Sequence, residues 1–174
     1  MSTALYVGRF QPFHKGHFHA FKHILAENDQ VLILLGSAQY SFESENPLTV
    51  DERIKIIKSV LNTQEISEEK YLIEIIKDIN DDSKWVDYLK DNVSKFDKVY
   101  TGSAHVRRLF KQHGEFQVFD VNFLEGFSAT KVRNYALSGL DFSDFVYPEA
   151  YKILEEINFK KRLIDINSSL NLKK

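Results

Sequence analysis

The chain has 174 residues, of which 43% are hydrophobic, and this is enough for one globular domain with an apolar core. Its formal net charge of -2 gives no overall positive field to hold a nucleic acid, and the absence of cysteine excludes disulfides, thiolate metal sites and cysteine nucleophiles. The start of the chain lacks a signal-peptide pattern and no apolar run is long enough for a membrane span, so we expect a cytoplasmic protein with no membrane partner.

Predicted strands and helices alternate along the chain. In order, they are a strand at 4–7, a helix at 15–27, a strand at 31–35, a helix that begins after Thr49 and a strand at 71–76. They continue with a helix at 82–93, a strand at 97–101, a helix at 103–113 that ends at Gly114 and a strand at 116–121. From Ser128 onward the pattern is helical, with interruptions at Gly139 and Pro148.

This alternation predicts an α/β fold, namely a Rossmann-like doubly wound parallel sheet of about five strands with a helical C-terminal segment. The strands are short, continuous apolar runs, which are typical of a parallel sheet covered on both faces. No internal repeat or linker divides the sequence, so we expect residues 1–174 to form a single domain.

Glycine is scarce, and three glycines follow predicted strands. Gly8, Gly36 and Gly102 stand directly after the strands at 4–7, 31–35 and 97–101, where a side chain would hinder a ligand that approaches the backbone. Ligands of open α/β sheets bind outside the carboxyl ends of the strands, so these glycines predict a ligand crevice.

The segment VGRFQPFHKGH at residues 7–17 predicts an anion site at that edge of the sheet. Pro12 fixes a turn after Gly8, and Gly16 lets the chain bend tightly into a helix whose first turn contains His17. Free backbone N–H groups and the positive end of this helix can then bind a phosphate.

Four side chains of this segment support the same interpretation. Arg9 and Lys15 add positive charge, and the imidazoles of His14 and His17 can donate to phosphate oxygens. The alternative is that both histidines are ordinary solvated side chains, as most isolated histidine pairs are.

A zinc site is a second alternative, because His14, His17, His19 and His23 crowd one segment. His19 and His23 are four residues apart on the predicted helix and could chelate an ion. No nearby cysteine or carboxylate completes a tetrahedral set, so we expect no resident metal and expect His19 and His23 to face solvent.

The run GRFQPFHKGH resembles the signature of the nucleotidyltransferase superfamily that carries H-x-G-H, formed here by His14, Gly16 and His17. In its longer form it is similar to the archaeal-type nicotinamide-mononucleotide adenylyltransferases. The resemblance implies an enzyme that joins nicotinamide mononucleotide to the AMP moiety of ATP, forming NAD and pyrophosphate. It also implies Mg²⁺ bound mainly through the ATP phosphates, and a homo-oligomer.

Three further segments carry the resemblance, which covers most of residues 4–157. They are GSAQYSFESENPLTVDER at 36–53, KDINDDSKWVDYL at 77–89 and FSATKVR at 127–133. The resemblance assigns mononucleotide binding to Gly36, Ser37, Arg53, Asp78, Trp85, Asn122 and Phe123. It assigns ATP binding to Gly8, Arg9, Phe10, His14, Gly16, His17, Ser128, Thr130 and Arg133, and catalysis to His14, Lys15, His17 and Arg133.

Structural interpretations of these segments stay open. Trp85 could pack in the core instead of stacking on a pyridinium ring, and Ser128 could be an ordinary N-cap. The run at 101–110 is expected near adenine, with no residue assigned. The tail at 158–174 matches no segment of the family, and its three basic residues predict a solvated charge run: Lys160, Lys161 and Arg162.

Two other functions fit the same residues. One is a related nucleotidyltransferase that acts on another phosphate acceptor, such as phosphopantetheine or a polyol phosphate. The other is a module that binds ATP or NAD without turnover and regulates a partner. Nicotinamide mononucleotide and nicotinic acid mononucleotide both remain open as acceptors.

Overall fold

The structure is a computed structural model that describes residues 1–121 and 124–171. Asn122 and Phe123, which the resemblance assigns to mononucleotide binding, lie outside the described residues. In the part of the chain that the structure describes, no helix combines the length and the apolar character needed to cross a lipid bilayer.

Five described strands form one sheet. They are β1 (Thr3–Gly8), β2 (Gln30–Leu35), β3 (Tyr71–Ile75), β4 (Lys98–Thr101) and β5 (Gln117–Asp120). Their order is β3-β2-β1-β4-β5, and every neighbouring pair is parallel. Leu5 in β1 and Leu32 in β2 are fully buried, which explains why the central strands have unbroken apolar sequences. The predicted α/β class and all five predicted strands are confirmed.

Seven α-helices lie within residues 1–121 and 124–171. They are α1 (Lys15–Glu27), α2 (Val50–Thr63), α3 (Trp85–Asn92), α4 (Ala104–His113), α5 (Ala129–Leu137), α6 (Pro148–Glu156) and α7 (Phe159–Asn171). Local sequence sets several of their ends. Thr49 and Glu52 form a capping box at the start of α2, and Gly114 ends α4 with a left-handed φ of +82°.

The first of two compact units contains the sheet. Its described residues are 1–9, 19–39 and 67–121. An apolar cluster forms its core, in which side chains of β1, β2 and β4 pack with those of α3 and α4. Leu34, Leu89 and Phe110 are fully buried members of this cluster.

The second compact unit is helical. Its described residues are 10–18, 40–66 and 124–171. Within it, α2 packs against α6, and α7 packs against both α5 and α6. The chain divides into two compact units, and each has its own buried side chains. The expected single domain therefore stays a prediction.

The segment predicted as a tail contributes to this second unit. Phe159 and Leu163, one turn apart on α7, are fully buried or nearly so. Arg162 donates from Nη1 and Nη2 to the two carboxylate oxygens of Glu52 at 2.6 and 2.8 Å, and its guanidinium stacks over the ring of Phe42. The prediction of a solvated charge run is therefore wrong for Arg162, because the packed face of α7 carries this side chain to an acidic partner.

Candidate functional site

Two histidines at the start of α1 cap each other. His14 is the residue before the helix, and its Nδ1 accepts a hydrogen bond from the backbone N–H of His17 at 3.3 Å. The backbone N–H of His14 donates in return to Nδ1 of His17, also at 3.3 Å. Thr49 and Glu52 form the same reciprocal arrangement at the start of α2. We call residues 10–18, which contain this pair, the histidine turn.

The mutual cap fixes which ring nitrogen carries the proton. Because Nδ1 accepts in both rings, each neutral imidazole has its proton on Nε2. Burial lowers the pKa of His14 to about 4. Burial, together with the proximity of His14, also lowers the pKa of His17 well below its ordinary value. At neutral pH the stacked pair, with ring centroids 3.7 Å apart, is therefore uncharged and offers two Nε2–H donors.

The neutral pair is expected to make folding sensitive to acid. Below pH 6.5 the unfolded chain binds a proton at position 14, whereas the folded protein binds it only near pH 4, so stability falls as the pH drops through this interval. The slope is about 1.4 kcal/mol per pH unit for one proton. We expect unfolding free energies from urea titrations between pH 7 and pH 4 to fall less steeply in His14→Gln than in the wild type. Identical slopes in the two proteins would contradict this expectation.

Gly16 leaves room for the ring of His14. A Cβ atom at position 16 would lie 3.0 Å from Cε1 and Nδ1 of His14, and 3.0 Å from Cβ of Phe127. These distances are shorter than ordinary van der Waals contacts, so a methyl group would displace the ring. The sequence predicts a tight bend at Gly16, and the structure adds this steric reason for glycine between the two histidines.

Aromatic rings support His17. Phe13 stacks on its imidazole with a centroid distance of 5.5 Å, and Phe10 meets it edge-on at 4.9 Å. Phe10 is buried and has a left-handed φ of +51°, a conformation that is uncommon for residues other than glycine. Its ring therefore helps to position His17, and its contact with ATP stays a prediction.

Arg133 connects the start of α5 to the histidine turn. Ser128 caps α5 by accepting a hydrogen bond from the backbone N–H of Lys131, and the buried Arg133 follows one turn later. Nη1 of Arg133 donates to the carbonyl oxygen of Gln11 at 2.9 Å, and Nη2 donates to Oγ1 of Thr130 at 3.3 Å. Folding thus brings two of the predicted phosphate-binding segments together.

A carboxylate on the loop before α2 also reaches Arg133. Oε2 of Glu45 lies 3.2 Å from Nη2 of Arg133, and the Glu45 side chain is 58% exposed while that of Arg133 is 6% exposed. Gln11 binds the same loop, because its side-chain amide makes hydrogen bonds of 2.9 and 3.1 Å with the backbone N–H and C=O of Leu48. Gln11 and Glu45 lie in segments that carry the resemblance, but the sequence assigns them no role, since their contacts exist only in the folded chain.

The first unit contains a cavity of about 440 Å³. Gly8 at the end of β1, Gly36 after β2 and Ser103 after β4 line it, so it opens at the carboxyl ends of these strands. The structure thus places a cavity where Gly8 and Gly36 predict a crevice, whereas Gly102 does not line it. Six of its lining residues are predicted ligand contacts, namely Gly8 and Arg9 for ATP and Gly36, Ser37, Asp78 and Trp85 for the mononucleotide. Its other lining residues are Val7, Ile79, Asp82, Ser103, His105 and Val106.

The carboxylate of Asp78 is held in place on the wall of this cavity. Ser37 donates from its backbone N–H to Oδ1 at 3.1 Å and from its hydroxyl to Oδ2 at 2.7 Å. The side chain of Gln39 makes two hydrogen bonds, both of 3.0 Å, with the backbone of Asp78. Ser37 and Asp78 therefore act as one oriented polar group, which the sequence does not indicate.

Trp85 belongs to both the core and the cavity wall. It is the first residue of α3, its side chain is 8% exposed, and it meets Phe110 edge-on at a centroid distance of 5.8 Å. The structural interpretation of Trp85 therefore holds, and the same indole also lines the cavity. Its stacking on a pyridinium ring stays a prediction.

Other predicted residues lie outside the cavity. Arg53 is fully buried in α2 of the second unit and does not line it. The ammonium group of Lys15 donates to the carbonyl oxygen of Asp144 at 2.8 Å. His19 and His23 have their Nε2 atoms 3.1 Å apart on α1. Among residues 1–121 and 124–171, no three His, Asp or Glu side chains come together as ligands for a metal ion.

Known proteins place the chain in a family. Residues 5–135 match the family model described as Cytidylyltransferase-like. The nicotinamide-nucleotide adenylyltransferase of Picrophilus torridus is 36% identical over 168 residues, which cover 95% of this chain and 98% of that protein. The protein of the same name from Pyrococcus horikoshii is 35% identical over 171 residues, which cover 98% of this chain and 91% of that protein. The chain belongs to the nicotinamide-nucleotide adenylyltransferase family. The resemblance carried by the H-x-G-H segment is thereby confirmed, and the chain is a nucleotidyltransferase.

Solved structures show the same fold as this family member. A bifunctional NMN adenylyltransferase/ADP ribose pyrophosphatase from Francisella tularensis, complexed with AMP and a Mn ion, has a TM-score of 0.79 at 24% identity and covers 99% of this chain. The chain spans 54% of the length of that protein. The nicotinic acid mononucleotide adenylyltransferase of Plasmodium falciparum has a TM-score of 0.62 at 10% identity, and the match covers 92% and 97% of the two chains.

Proposed function

We propose that this chain joins nicotinamide mononucleotide to the AMP moiety of ATP and releases pyrophosphate, forming NAD. Its near full-length match to the Picrophilus torridus protein of that name, at 36% identity, is the observation that supports this most directly. In the proposed reaction the 5'-phosphate of the mononucleotide attacks the α-phosphorus of ATP. The bond from this phosphorus to the bridging oxygen breaks, and pyrophosphate leaves with the electron pair.

The attacking phosphate is already an anion near neutral pH, so the reaction needs no general base. Catalysis then consists of holding two anions that repel each other and of stabilising the charge that moves onto the leaving group. Hydrogen-bond donors and positive groups suit this task, and a covalent nucleophile is not required.

We assign the triphosphate of ATP to groups of the second unit. The two Nε2–H groups of His14 and His17 are oriented donors for oxygens that gain charge in the transition state. Arg133 contributes a planar guanidinium, which can bind phosphate oxygens through two parallel hydrogen bonds. The N-terminal ends of α1 and α5 carry partial positive charge, and Lys15 adds a full charge.

We assign the mononucleotide to the cavity of the first unit. Its volume of about 440 Å³ suits a small polar ligand. The indole of Trp85 offers a face to the cationic pyridinium ring, and the oriented carboxylate of Asp78 can accept hydrogen bonds from ribose hydroxyls. Arg53, Asn122 and Phe123 keep a role toward the mononucleotide on the resemblance alone.

We further propose that Mg²⁺ enters as part of the ATP substrate, bound by phosphate oxygens and water. The chain is proposed to act in the cytoplasm, as a single nucleotidyltransferase domain and as a homo-oligomer. Sedimentation velocity measures the oligomeric state directly, and a single species at the mass of one chain would contradict the proposed homo-oligomer.

Pyrophosphate release with MgATP and a panel of phosphate acceptors tests the proposed function. We expect release with nicotinamide mononucleotide and formation of NAD in equal amount. A clear preference for phosphopantetheine or a polyol phosphate would instead identify a related transferase. Binding of ATP or NAD without pyrophosphate release from any acceptor would identify a sensing module.

Glu45→Gln is expected to strengthen ATP binding. In the proposed site the carboxylate of Glu45 and the triphosphate compete for the guanidinium of Arg133. A pair with one exposed partner is worth up to about 1 kcal/mol, so we expect roughly a fivefold lower KM for ATP with little change in kcat. Glu43→Gln removes a charge from the same loop and is expected to leave KM within twofold. A higher KM in Glu45→Gln would show instead that Glu45 positions Arg133.

A further inference from the structure

Asp82 provides a second carboxylate in the cavity of the first unit, and two residues of α4 contact it. Oδ1 of Asp82 lies 3.3 Å from Nε2 of His105, and its Oδ2 accepts a hydrogen bond from Nη2 of Arg108 at 3.1 Å. The same nitrogen of Arg108 lies 3.1 Å from Nδ1 of His105, which closes a triangle of contacts. Asp82 and His105 both line the cavity. Asp82 lies in the segment 77–89 that carries the resemblance, and His105 and Arg108 lie in the run 101–110, but the sequence assigns a role to none of the three.

The position of Asp82 relates it directly to the indole of Trp85. The backbone N–H of Trp85 donates to the carbonyl oxygen of Asp82 at 3.5 Å, so the two residues flank one turn of chain at the start of α3. Both side chains line the same cavity. Asp82 and Trp85 are therefore neighbours on the wall of this cavity, where the proposed function stacks the pyridinium ring.

We propose that Asp82 makes this cavity select the amide form of the mononucleotide over the acid form. This inference rests on the proposed function. Both forms contain the same pyridinium cation, so the attraction of Asp78 and Asp82 for the ring does not distinguish the two forms. They differ in the ring substituent, which is a neutral carboxamide in one form and a negative carboxylate in the other. The carboxylate of Asp82 can accept a hydrogen bond from the amide N–H₂ group, whereas it repels the carboxylate of the acid form.

The charges around the cavity determine how large this selection is. Arg9, Asp78 and Asp82 line the cavity, and Arg108 pairs with Asp82. Arg108 offsets the charge of Asp82 only in part, because the two side chains are 57% and 56% exposed and water screens the pair. Two like charges about 5 Å apart in a partly screened site change a binding ratio by roughly tenfold.

The test is the ratio of kcat/KM for nicotinamide mononucleotide to kcat/KM for nicotinic acid mononucleotide, measured at saturating MgATP. Asp82→Asn keeps the shape of the side chain and removes its charge, so we expect the ratio to fall roughly tenfold, mainly through a lower KM for the acid form. Asp91→Asn removes a charge from α3, the helix that begins three residues after Asp82, at an exposed position that does not line the cavity. This control is expected to keep the ratio within twofold of the wild type.

Arg108→Gln supplies a second variant with the opposite expected outcome. It removes the partner of Asp82 from an exposed position, so the uncompensated carboxylate should raise the preference for the amide several-fold. A ratio that stays within twofold of the wild type in both Asp82→Asn and Arg108→Gln, while both mononucleotides are turned over, overturns the inference alone. Absence of turnover with either mononucleotide in the wild type would instead overturn the proposed function.

Discussion

His17→Ala is expected to lower kcat by at least about a hundredfold, the usual cost of removing a donor to charge that develops in a transition state. The substitution removes the Nε2–H group that the mutual cap with His14 orients. It also removes the ring that stacks on Phe13, so a moderate loss of stability accompanies the loss of activity. Steady-state pyrophosphate release at saturating substrates measures the first effect, and thermal unfolding measures the second.

Two further variants separate the role of the His17 Nε2–H group as a donor from the role of the side chain in capping α1. His17→Asn provides an oxygen that can accept from the backbone N–H of His14, but it has no Nε2. We expect it to recover part of the stability and none of the turnover. His19→Ala, on the outer side of the same helix, is expected to keep full turnover. Rates of His17→Ala within threefold of the wild type would show that the imidazole does not act in the chemical step.

Features that depend on residues close together in the sequence could be predicted from the sequence. The central residues of β1 and β2 are apolar because both faces of the sheet are covered, and this leaves an unbroken apolar run in each strand. Thr49 and Gly114 mark helix ends through contacts within one turn of chain. The packing of α7 was not predicted, because its buried residues flank a charge run and the partner of Arg162, Glu52, is 110 residues away.

In the candidate site, too, contacts between residues close in sequence could be predicted, whereas contacts between distant residues could not. The H-x-G-H pair was predictable because its backbone geometry, its cap and its glycine all lie within a few residues of one another. The pairing of Glu45 with Arg133 spans 88 residues, and the pairing of Asp82 with Arg108 spans 26. Polar residues of this kind have no distinctive spacing, so only the folded chain identifies them.

Arg133→Lys is expected to lower kcat/KM for ATP by roughly a hundredfold. A lysine keeps one positive charge but loses the planar fork that can bind two phosphate oxygens at once. In this structure the fork also donates to the carbonyl oxygen of Gln11 and to Oγ1 of Thr130, and one ammonium group cannot reproduce both contacts with the same geometry. Titration calorimetry is expected to show weaker ATP binding and unchanged binding of nicotinamide mononucleotide.

Arg162→Lys is the matched control for this substitution. Arg162 likewise lies in the second unit and binds a carboxylate through two nitrogens, but it has no assigned role toward ATP. We expect it to lower the melting temperature and to leave kcat/KM for ATP within threefold. Arg162 connects α7 to Glu52 of α2 and to the carbonyl oxygen of Pro47 on the loop before α2, and neither of these contacts involves Arg133. Equal losses of kcat/KM in both variants would mean that Arg133 acts through the stability of the helical unit, and the assignment of its guanidinium to the triphosphate would then be wrong.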